Sequence, residues 1–468
     1  MFTLIPSSAR LWMAVFFLLS LTTLSSAQPT SQPSHPNIIL ILADDLGYAD
    51  IGVQAVEPDV KTPHIDSIAH DGVRFTTAYV SCPVCSPSRA GILTGRYQER
   101  FGHESNPVAA FDQKWGLPLN QTLLSNEFHR INYATGALGK WHEGDTQPYW
   151  PLQRGFDEFF GFAGGMHAYF NANRTAAQDG FNVIRRGNDP VTEKEYLTDA
   201  ITREALSFID RHQSQPFFLY VAYNAPHVPQ QAPPRYLKRF SDITDPKRKI
   251  MLAMLAAEDD GVGDILSKLH DTHLENNTLV IFLSDNGGPT AENASRNAPF
   301  RGFKGQVWEG GLRVPFMAKW PGHIPAGKTI DQPVISLDLF PTFLAAAGAT
   351  PDPKLQLDGV NILPLLEGKP QPNIHPTLYW RFEPQWAIRD GHYKLETARD
   401  HVTRLYDLSK DPTETTDLFT AKPDIAQSLK TKYDKWASQL MAPLWPGRQE
   451  GDQTIGQIDA EEATADAD

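Results

Sequence analysis

The sequence predicts an α/β fold, a large doubly wound mixed sheet flanked by helices, with a smaller antiparallel sheet near the C-terminus. Two patterns indicate this fold: short apolar runs alternate with segments of helical spacing, and a later segment alternates apolar and polar residues. The chain has 468 residues, of which 41% are hydrophobic and 21% are charged. A chain of this length and composition can bury a hydrophobic core large enough for such a sheet and its flanking helices.

Four short apolar runs have the composition of buried parallel strands, and helical patterns lie between them. The runs are residues 37–43, 133–139, 217–223 and 278–284, and the clearest helical patterns cover residues 63–71 and 245–270. Strands that alternate with helices indicate a doubly wound sheet. The alternating segment covers residues 378–408 and predicts antiparallel strands, which a helix at residues 423–441 follows.

The two ends of the chain differ from the rest. An apolar run after Arg10 and the small residues Ser25-Ser26-Ala27 predict a signal peptide at residues 1–27, and a linker follows at residues 28–35. A membrane anchor is the alternative, but the run is short for a bilayer span. We expect a catalytic domain at residues 36–348, a C-terminal α+β subdomain at 349–448 and an acidic disordered tail at 449–468.

Charge and cysteine content narrow the location and the partners. An exported chain with only 2 cysteines favours a bacterial periplasm or the exterior, without stable membrane insertion after signal cleavage. A net charge of −13 argues against nucleic-acid binding, which needs dense Lys and Arg. If so acidic a protein binds an anion, it must collect its positive charge at the site.

Polar residues follow each of the four apolar runs. They are Asp44-Asp45, Lys140-Trp141-His142, Asn224 to His227, and Asp285-Asn286. In open α/β sheets, ligands bind in the crevice outside the carboxyl ends of the strands. The sequence therefore predicts that these four clusters converge on one crevice.

The pair Cys82 and Cys85 allows three interpretations: a redox couple, half of a zinc site, or a disulfide. No second pair exists to complete a zinc site, and so small a loop gains little from a disulfide. The residues after the pair are more informative. Cys85 begins the motif Cys85-Ser86-Pro87-Ser88-Arg89, and Leu93-Thr94-Gly95-Arg96 comes soon after it.

These two motifs resemble the signature of the type I sulfatases, within the alkaline-phosphatase-like superfamily. The resemblance extends from about residue 36 to residue 418, through ILADDLGYAD, LGKWH, LSDNGG and FKGQVWEGG. It implies that Cys85 is oxidised to Cα-formylglycine, which requires a maturation enzyme in the host.

The surroundings of Cys85 suit that role. Pro87 fits the first turn of a helix, so Cys85 would lie at a helix N-terminus, where the dipole favours an anion. An unmodified thiol there would have a lowered pKa, so a reactive-cysteine enzyme is the alternative. A hydrated aldehyde offers two hydroxyls on one carbon: one attacks sulfur, and the other later expels sulfate as the aldehyde re-forms.

For the metal site we expect Asp44, Asp45, Asp285 and Asn286, with the hydrate made from Cys85 as a further ligand. Hard oxygen donors suit Ca²⁺ or Mg²⁺. Taken singly, these residues could instead cap a helix or form a turn, but two such sets after two buried strands favour a metal. The cation would polarise the sulfate and lower the hydrate's pKa, and Asp285 would accept the proton.

The resemblance also implies where positive charge is needed. It places Arg89 against the formylglycine, Lys140 and Lys304 on the sulfate, and His142 and His227 beside them. His227 or Lys304 would protonate the leaving alcohol, and His142 would deprotonate the second hydroxyl. Without the motif, Lys304 could be a solvated loop lysine and His227 a capping residue.

Glu143 departs from the pattern of the family, and the resemblance assigns no role to residues 103–106. Glu143 stands where the family usually has Leu, and its carboxylate should repel sulfate unless it turns outward or holds a substrate hydroxyl. Residues 103–106 (His-Glu-Ser-Asn) form a loop that either contacts sugar hydroxyls or is an ordinary exposed loop.

The expected function is a sulfuric ester hydrolase that acts on a sulfated polysaccharide or its oligosaccharides. Three alternatives stay open: an arylsulfatase of broad specificity that takes aryl sulfates, a formylglycine-dependent phosphonate or phosphate ester hydrolase, and a non-catalytic glycan-binding relative. The last would be expected to lose some of the residues named above, and all of them are present.

Overall fold

The largest element of the described structure is a ten-stranded mixed sheet. This structure is a computed structural model, and it describes residues 35–107, 115–170, 183–382 and 384–445. The strands are β1 Asn37–Ala43, β2 Val73–Phe75, β3 Ala78–Tyr79, β4 Ala134–Lys140, β5 Glu158–Phe162, β6 Arg185–Arg186, β7 Asp189–Pro190, β8 Phe217–Ala222, β9 Thr278–Ser284, β10 Phe316–Lys319, β11 Lys328–Ile330, β12 Val334–Ile335, β13 Thr377–Phe382, β14 Gln385–Asp390, β15 Tyr393–Thr397 and β16 Thr403–Asp407. The order in the large sheet is β11-β2-β10-β9-β1-β8-β4-β5-β6-β7.

The α-helices cover both faces of this sheet. They are α1 Pro63–His70, α2 Cys85–Thr94, α3 Leu124–Arg130, α4 Leu197–Arg211, α5 Pro234–Leu237, α6 Pro246–Asp271, α7 Thr290–Asn293, α8 Glu309–Leu312, α9 Leu339–Ala346, α10 Leu363–Leu366 and α11 Pro423–Ala437. Apolar residues of α1, α4 and α6 pack into the core on one face, and those of α2, α3 and α9 pack into the core on the other. The predicted doubly wound sheet is confirmed.

The central strands β9, β1, β8, β4 and β5 are parallel, and β10 joins them antiparallel to β9. The runs predicted at residues 37–43 and 278–284 are confirmed at both ends. The run predicted at 133–139 lies one residue later, so Lys140 is the last residue of β4 and does not follow it. Residue 139 must be glycine, since its φ is 93° and a Cβ would lie 1.9 Å from the Ala222 carbonyl oxygen.

The predicted C-terminal antiparallel sheet is also present. Strands β13 to β16 form a meander, and α11 packs against it through Leu429, Tyr433 and Trp436. Helix α11 ends at Ala437, four residues before the predicted end. Both sheets belong to one compact unit. The division at residues 348 and 349 stays a prediction.

Three predictions about the chain ends lie outside the described residues: the signal peptide, all of the linker except His35, and the acidic tail. Among the helices that the structure describes, none combines the length and the apolar character needed to cross a bilayer.

Candidate active site

The carboxyl ends of four neighbouring parallel strands meet at one crevice. In the order β9, β1, β8, β4, the register pairs Ala43 with Ser284, so the next residues, Asp44 and Asp285, lie side by side. The Asp285 amide donates to the Ala43 carbonyl oxygen at 3.1 Å, and the Asp44 amide donates to the Ala225 carbonyl oxygen at 3.0 Å. The predicted convergence of the polar clusters is therefore confirmed.

Three carboxylates and one amide form the floor of the crevice, and Asp44, Asp45, Asp285 and Asn286 are all completely buried. Asp45 has a left-handed backbone, with φ 66°, and its amide donates to Asp285 Oδ1 at 3.2 Å. Asn286 Nδ2 donates to Asp45 Oδ1 at 2.7 Å, whereas Asn286 Oδ1 has no hydrogen-bond partner. A buried acceptor without a donor is costly. This all-oxygen set with an unpaired oxygen fits a hard divalent cation such as Ca²⁺ or Mg²⁺.

Two lysines bind the carboxylates at this floor. Lys140 Nζ lies 2.6 Å from Asp44 Oδ2, and Lys304 Nζ lies 2.8 Å from an oxygen of Asp45. Burial acts to raise the pKa of Asp44, but Lys140 and other cations nearby outweigh it and lower that pKa well below its usual range. The Lys304 side chain is only 14% exposed, so it is not a solvated loop lysine.

Arg89 binds the third carboxylate from inside helix α2. Its Nε donates to Asp285 Oδ2 at 2.9 Å, and a second guanidinium nitrogen lies 2.8 Å from the same oxygen. Tyr220 of β8 adds a contact of 3.4 Å to the guanidinium. We did not single out Tyr220 from the sequence, although a polar hydroxyl within the apolar run FFLYVAY was the available signal. Positive charge is thus concentrated at the crevice, as we expected if so acidic a protein binds an anion there.

Cys85 is the first residue of α2, after an extended Val84, and it is 1% exposed. Its Sγ lies 3.7 Å from Asp44 Oδ1, so the helix N-terminus does face the crevice. The expectation of a lowered thiol pKa is wrong. Burial raises the pKa of Cys85 to about 12, and the carboxylates of Asp285 and Asp44 act in the same direction, against the helix dipole and the lysines. An unmodified thiol here is a poor nucleophile.

Two histidines complete the crevice. His227 Nε2 lies 3.5 Å from Asp45 Oδ2, and its Nδ1 lies 2.6 Å from the Val228 carbonyl oxygen. His142 has a left-handed backbone, φ 62°, and its Nδ1 is buried without a hydrogen-bond partner. Burial lowers the pKa of both imidazoles, and Lys140 lowers that of His142 further. This environment therefore favours the neutral form of both rings.

Glu143 does not behave as the sequence led us to expect. It turns inward, is completely buried, and has no hydrogen-bond partner on either carboxyl oxygen. Burial raises its pKa well above the usual range, and Arg89 and Arg154 offset this only in part. Burial thus favours the neutral carboxylic acid at Glu143, a form that would not repel sulfate.

The loop at residues 103–106 is not an ordinary exposed loop. His103 is completely buried, and its Nε2 lies 2.6 Å from Ser86 Oγ and 3.7 Å from Glu143 Oε2. Asn106 Oδ1 accepts a hydrogen bond of 3.0 Å from the Ser86 amide, in the first turn of α2. These two residues thus support the helix end that presents Cys85.

Comparison with known proteins agrees with this geometry. Residues 36–349 match the family described as Sulfatase, and residues 303–439 match the family described as N-sulphoglucosamine sulphohydrolase, C-terminal. The chain is 36% identical over 386 residues to human N-acetylgalactosamine-6-sulfatase, a match that covers 77% of this chain and 71% of that protein. It is 34% identical over 402 residues to the uncharacterized sulfatase YdeN of Escherichia coli K12, which covers 75% and 69%.

Solved structures give the same answer. The crystal structure of Ps i-CgsB superposes with a TM-score of 0.84 at 36% identity, and the match covers 92% of this chain and 99% of that one. The same protein has been solved in complex with k-i-k-neocarrahexaose, with the same TM-score and identity. The chain therefore belongs to the type I sulfatase family, and it is a sulfuric ester hydrolase.

Proposed function

We propose that this protein removes sulfate from a sulfated polysaccharide or its oligosaccharides, with a formylglycine made from Cys85 and one divalent cation. The observation that supports this most is the crevice itself: buried carboxylates, an unpaired amide oxygen and buried cations meet at the N-terminus of the Cys85 helix. The carbohydrate substrate is supported by two relatives, an N-acetylgalactosamine-6-sulfatase and a protein solved with a neocarrahexaose.

We assign the cation site to Asp44, Asp45, Asp285, Asn286 and the side chain made from Cys85. When bound, Ca²⁺ or Mg²⁺ draws charge from a sulfate oxygen and lowers the pKa of a neighbouring hydroxyl. The carboxylates that would hold it are those that Lys140 and Lys304 now bind. Both ammonium groups would then be available to bind sulfate oxygens.

The remaining residues bind the sulfate group or move protons. The aldehyde hydrate supplies two hydroxyls on one carbon. Arg89 orients it from within α2, and the Asp285 carboxylate accepts the proton of the attacking hydroxyl. Lys304 Nζ, or His227 Nε2 once that ring has taken up a second proton, gives a proton to the leaving alcohol. His142 Nδ1, a buried neutral nitrogen without a partner, accepts the proton whose loss releases sulfate.

In this proposal residues 36–348 carry the chemistry, residues 349–448 border the substrate, and the protein acts in a bacterial periplasm or outside the cell. The test is to express the chain with a formylglycine-generating enzyme and to measure the mass of the Cys85 peptide. We expect the mass loss that converts a thiol to an aldehyde. Inorganic sulfate should be released from sulfated oligosaccharides, and a chelator should abolish release until Ca²⁺ is restored.

Three outcomes distinguish this function from the alternatives. Turnover of 4-nitrophenyl phosphate at or above that of 4-nitrophenyl sulfate would favour the phosphate or phosphonate ester hydrolase. Full turnover by protein whose Cys85 thiol can still be alkylated would refute the formylglycine mechanism. A chain that binds the oligosaccharides but releases no sulfate, even with complete aldehyde conversion, would favour the non-catalytic relative.

A further inference from the structure

A loop at residues 303–305 borders the crevice at Lys304. Its backbone is held close to the nucleophile, because the Gly305 amide donates to the Pro83 carbonyl oxygen at 2.8 Å, two residues before Cys85. Lys304 itself points into the crevice and binds Asp45. The backbone of this loop is therefore held close to the crevice.

Arg399 lies beside Gly305. It comes soon after β15 in the C-terminal subdomain, it is exposed, and its guanidinium donates to the Gly305 carbonyl oxygen at 3.3 Å. The adjacent carboxylate, Asp400, is taken by Arg404. Across the part of the chain that the structure describes, no carboxylate pairs with Arg399. Its charge is available to an anion from outside.

Phe303 lies on the other side of Lys304 in the same loop. Its side chain is 41% exposed, which is unusual for a phenylalanine and marks it as one of the larger apolar side chains open to solvent. Aromatic rings bury a large apolar area on contact, and the apolar face of a sugar ring is a suitable partner. An exposed aromatic residue thus directly precedes the lysine that we assign to the sulfate, and a cation without a carboxylate partner contacts the residue that directly follows it.

We propose that Arg399 and Phe303 form a second subsite, which binds the sugar next to the one that loses its sulfate and selects for an anionic group on that sugar. Arg399 binds the second sulfate or carboxylate, and Phe303 packs on the sugar ring. The inference rests on the proposed function, and it narrows the substrate class to oligosaccharides with anionic groups on neighbouring sugars. A guanidinium is well suited to this, because its planar donors match the oxygens of such groups.

The test compares Arg399→Gln with wild type on two neocarrageenan tetrasaccharides that share one backbone and differ by one sulfate. The preference of wild type for the more sulfated probe, as a ratio of kcat/KM values, should fall about tenfold in the variant, since a charge-assisted hydrogen bond is lost. The loss should appear in KM. Phe303→Ala should raise KM for both tetrasaccharides alike, because it removes only the contact with the ring.

Arg211→Gln is the matched control. Arg211 is also an exposed arginine, but it pairs with Glu158, the first residue of β5. This pair therefore lies at the amino-terminal ends of the parallel strands, opposite the crevice. Its preference ratio should equal that of wild type. An Arg399→Gln ratio equal to wild type, or an equal loss on both probes, overturns the subsite.

A failure of the proposed function itself would look different. In that case wild type would release no sulfate from 4-nitrophenyl sulfate or from either tetrasaccharide. Binding of the two tetrasaccharides to Cys85→Ala protein, with and without Arg399→Gln, still tests the subsite by calorimetry, because it needs no chemistry. A ratio of affinities that Arg399→Gln leaves unchanged overturns the proposal there too.

Discussion

Two buried groups of charges can be compared in this molecule. The strand-end cluster contains Asp44, Asp45 and Asp285 with Arg89, Lys140 and Lys304, at the crevice. The subdomain cluster contains Glu309, Lys394 and Glu414, where the C-terminal sheet meets the loop that follows Lys304. Both are largely buried, so each must compensate a large desolvation cost.

The two clusters differ in how far protein groups satisfy them. In the subdomain cluster, Glu309 Oε1 binds Lys394 at 2.9 Å, its Oε2 accepts from Tyr79 at 2.7 Å, and its amide donates to Glu414 at 2.7 Å. Glu414 Oε1 makes no hydrogen bond of good geometry, but it lies 2.8 Å from Lys394 Nζ. Beside the strand-end cluster, Asn286 Oδ1 and His142 Nδ1 have neither a hydrogen-bond partner nor an ion-pair partner. A cluster whose groups bind one another is structural, whereas unpaired acceptors beside paired charges indicate a place for ligands.

The largest expected effect is on the rate. Cys85→Ala should lower kcat by about 10⁴-fold or more, as expected when a nucleophile is removed, while the melting temperature stays within a few degrees of wild type. Steady-state kinetics and a thermal melt check this. Cys82→Ala is the matched control, because Cys82 is equally buried but lies before the helix, and it should retain turnover. Substantial turnover by Cys85→Ala would contradict the assignment.

The subdomain cluster should respond in the opposite way. Lys394→Met removes the cation that the buried Glu309 and Glu414 carboxyls share and leaves only Arg313 beside Glu309, so the free energy of unfolding should fall by about 3–5 kcal/mol. Urea denaturation measures this, and kcat per folded molecule should stay within a few-fold of wild type. Lys430→Met removes an exposed pair with Asp434 on α11 and should cost only about 0.5 kcal/mol. If Lys394→Met and Lys430→Met lost equal amounts of unfolding free energy, the burial of an ion pair would not determine its contribution to stability.

The pH dependence of stability sharpens the comparison further. Burial acts to raise the pKa of Glu309, but Lys394 and Arg313 outweigh it and lower that pKa to about 2. A lowered acid pKa stabilises the fold above the unfolded-state pKa, and this contribution is lost as the pH falls through the folded-state pKa. Glu309 should therefore stabilise the fold at neutral pH, and this contribution should decline as the pH falls below about 4.5.

Urea titrations of wild type and Glu309→Gln at several pH values check that prediction. The difference in unfolding free energy should be larger near neutral pH and should shrink as the pH falls below about 4.5. A difference that stays the same down to pH 3 would mean that Glu309 is not ionised in the folded protein at neutral pH.

Local pattern and the geometry of parallel sheets were enough to predict the central strands and the position of the crevice. Strands β1 and β9 are continuous apolar runs, so both could be bounded correctly, and the carboxyl ends of parallel neighbours must meet at one edge. Short strands such as β6 and β7 contain two residues each, which leaves no periodicity to detect. Their place in the sheet depends on tertiary packing alone.

The buried charged residues also fall into two groups: those that directly follow a strand in the sequence, and those whose contacts depend on tertiary packing. Asp44 and Asp285 could be predicted because each directly follows its strand. The Lys394 contact with Glu309 joins residues 85 positions apart and depends on how the two sheets pack, for which no motif exists. The thiol pKa of Cys85 was misjudged for a related reason, since burial and nearby carboxylates are set by tertiary structure.

The smallest effect is expected at Glu143, where sequence and structure disagree. Because its carboxyl is neutral and buried, Glu143→Gln keeps both its charge and its shape, so kcat/KM should stay within about threefold of wild type and stability within about 1 kcal/mol. Glu104→Gln is the contrasting control: Glu104 is also buried, but it binds Arg381 through two oxygens, and its replacement should cost about 2–3 kcal/mol. If Glu143→Gln instead raises KM for sulfated oligosaccharides tenfold or more, Glu143 is ionised and reaches the substrate. The crevice would then rearrange when substrate binds, and its functional groups would extend past His142 to include Glu143.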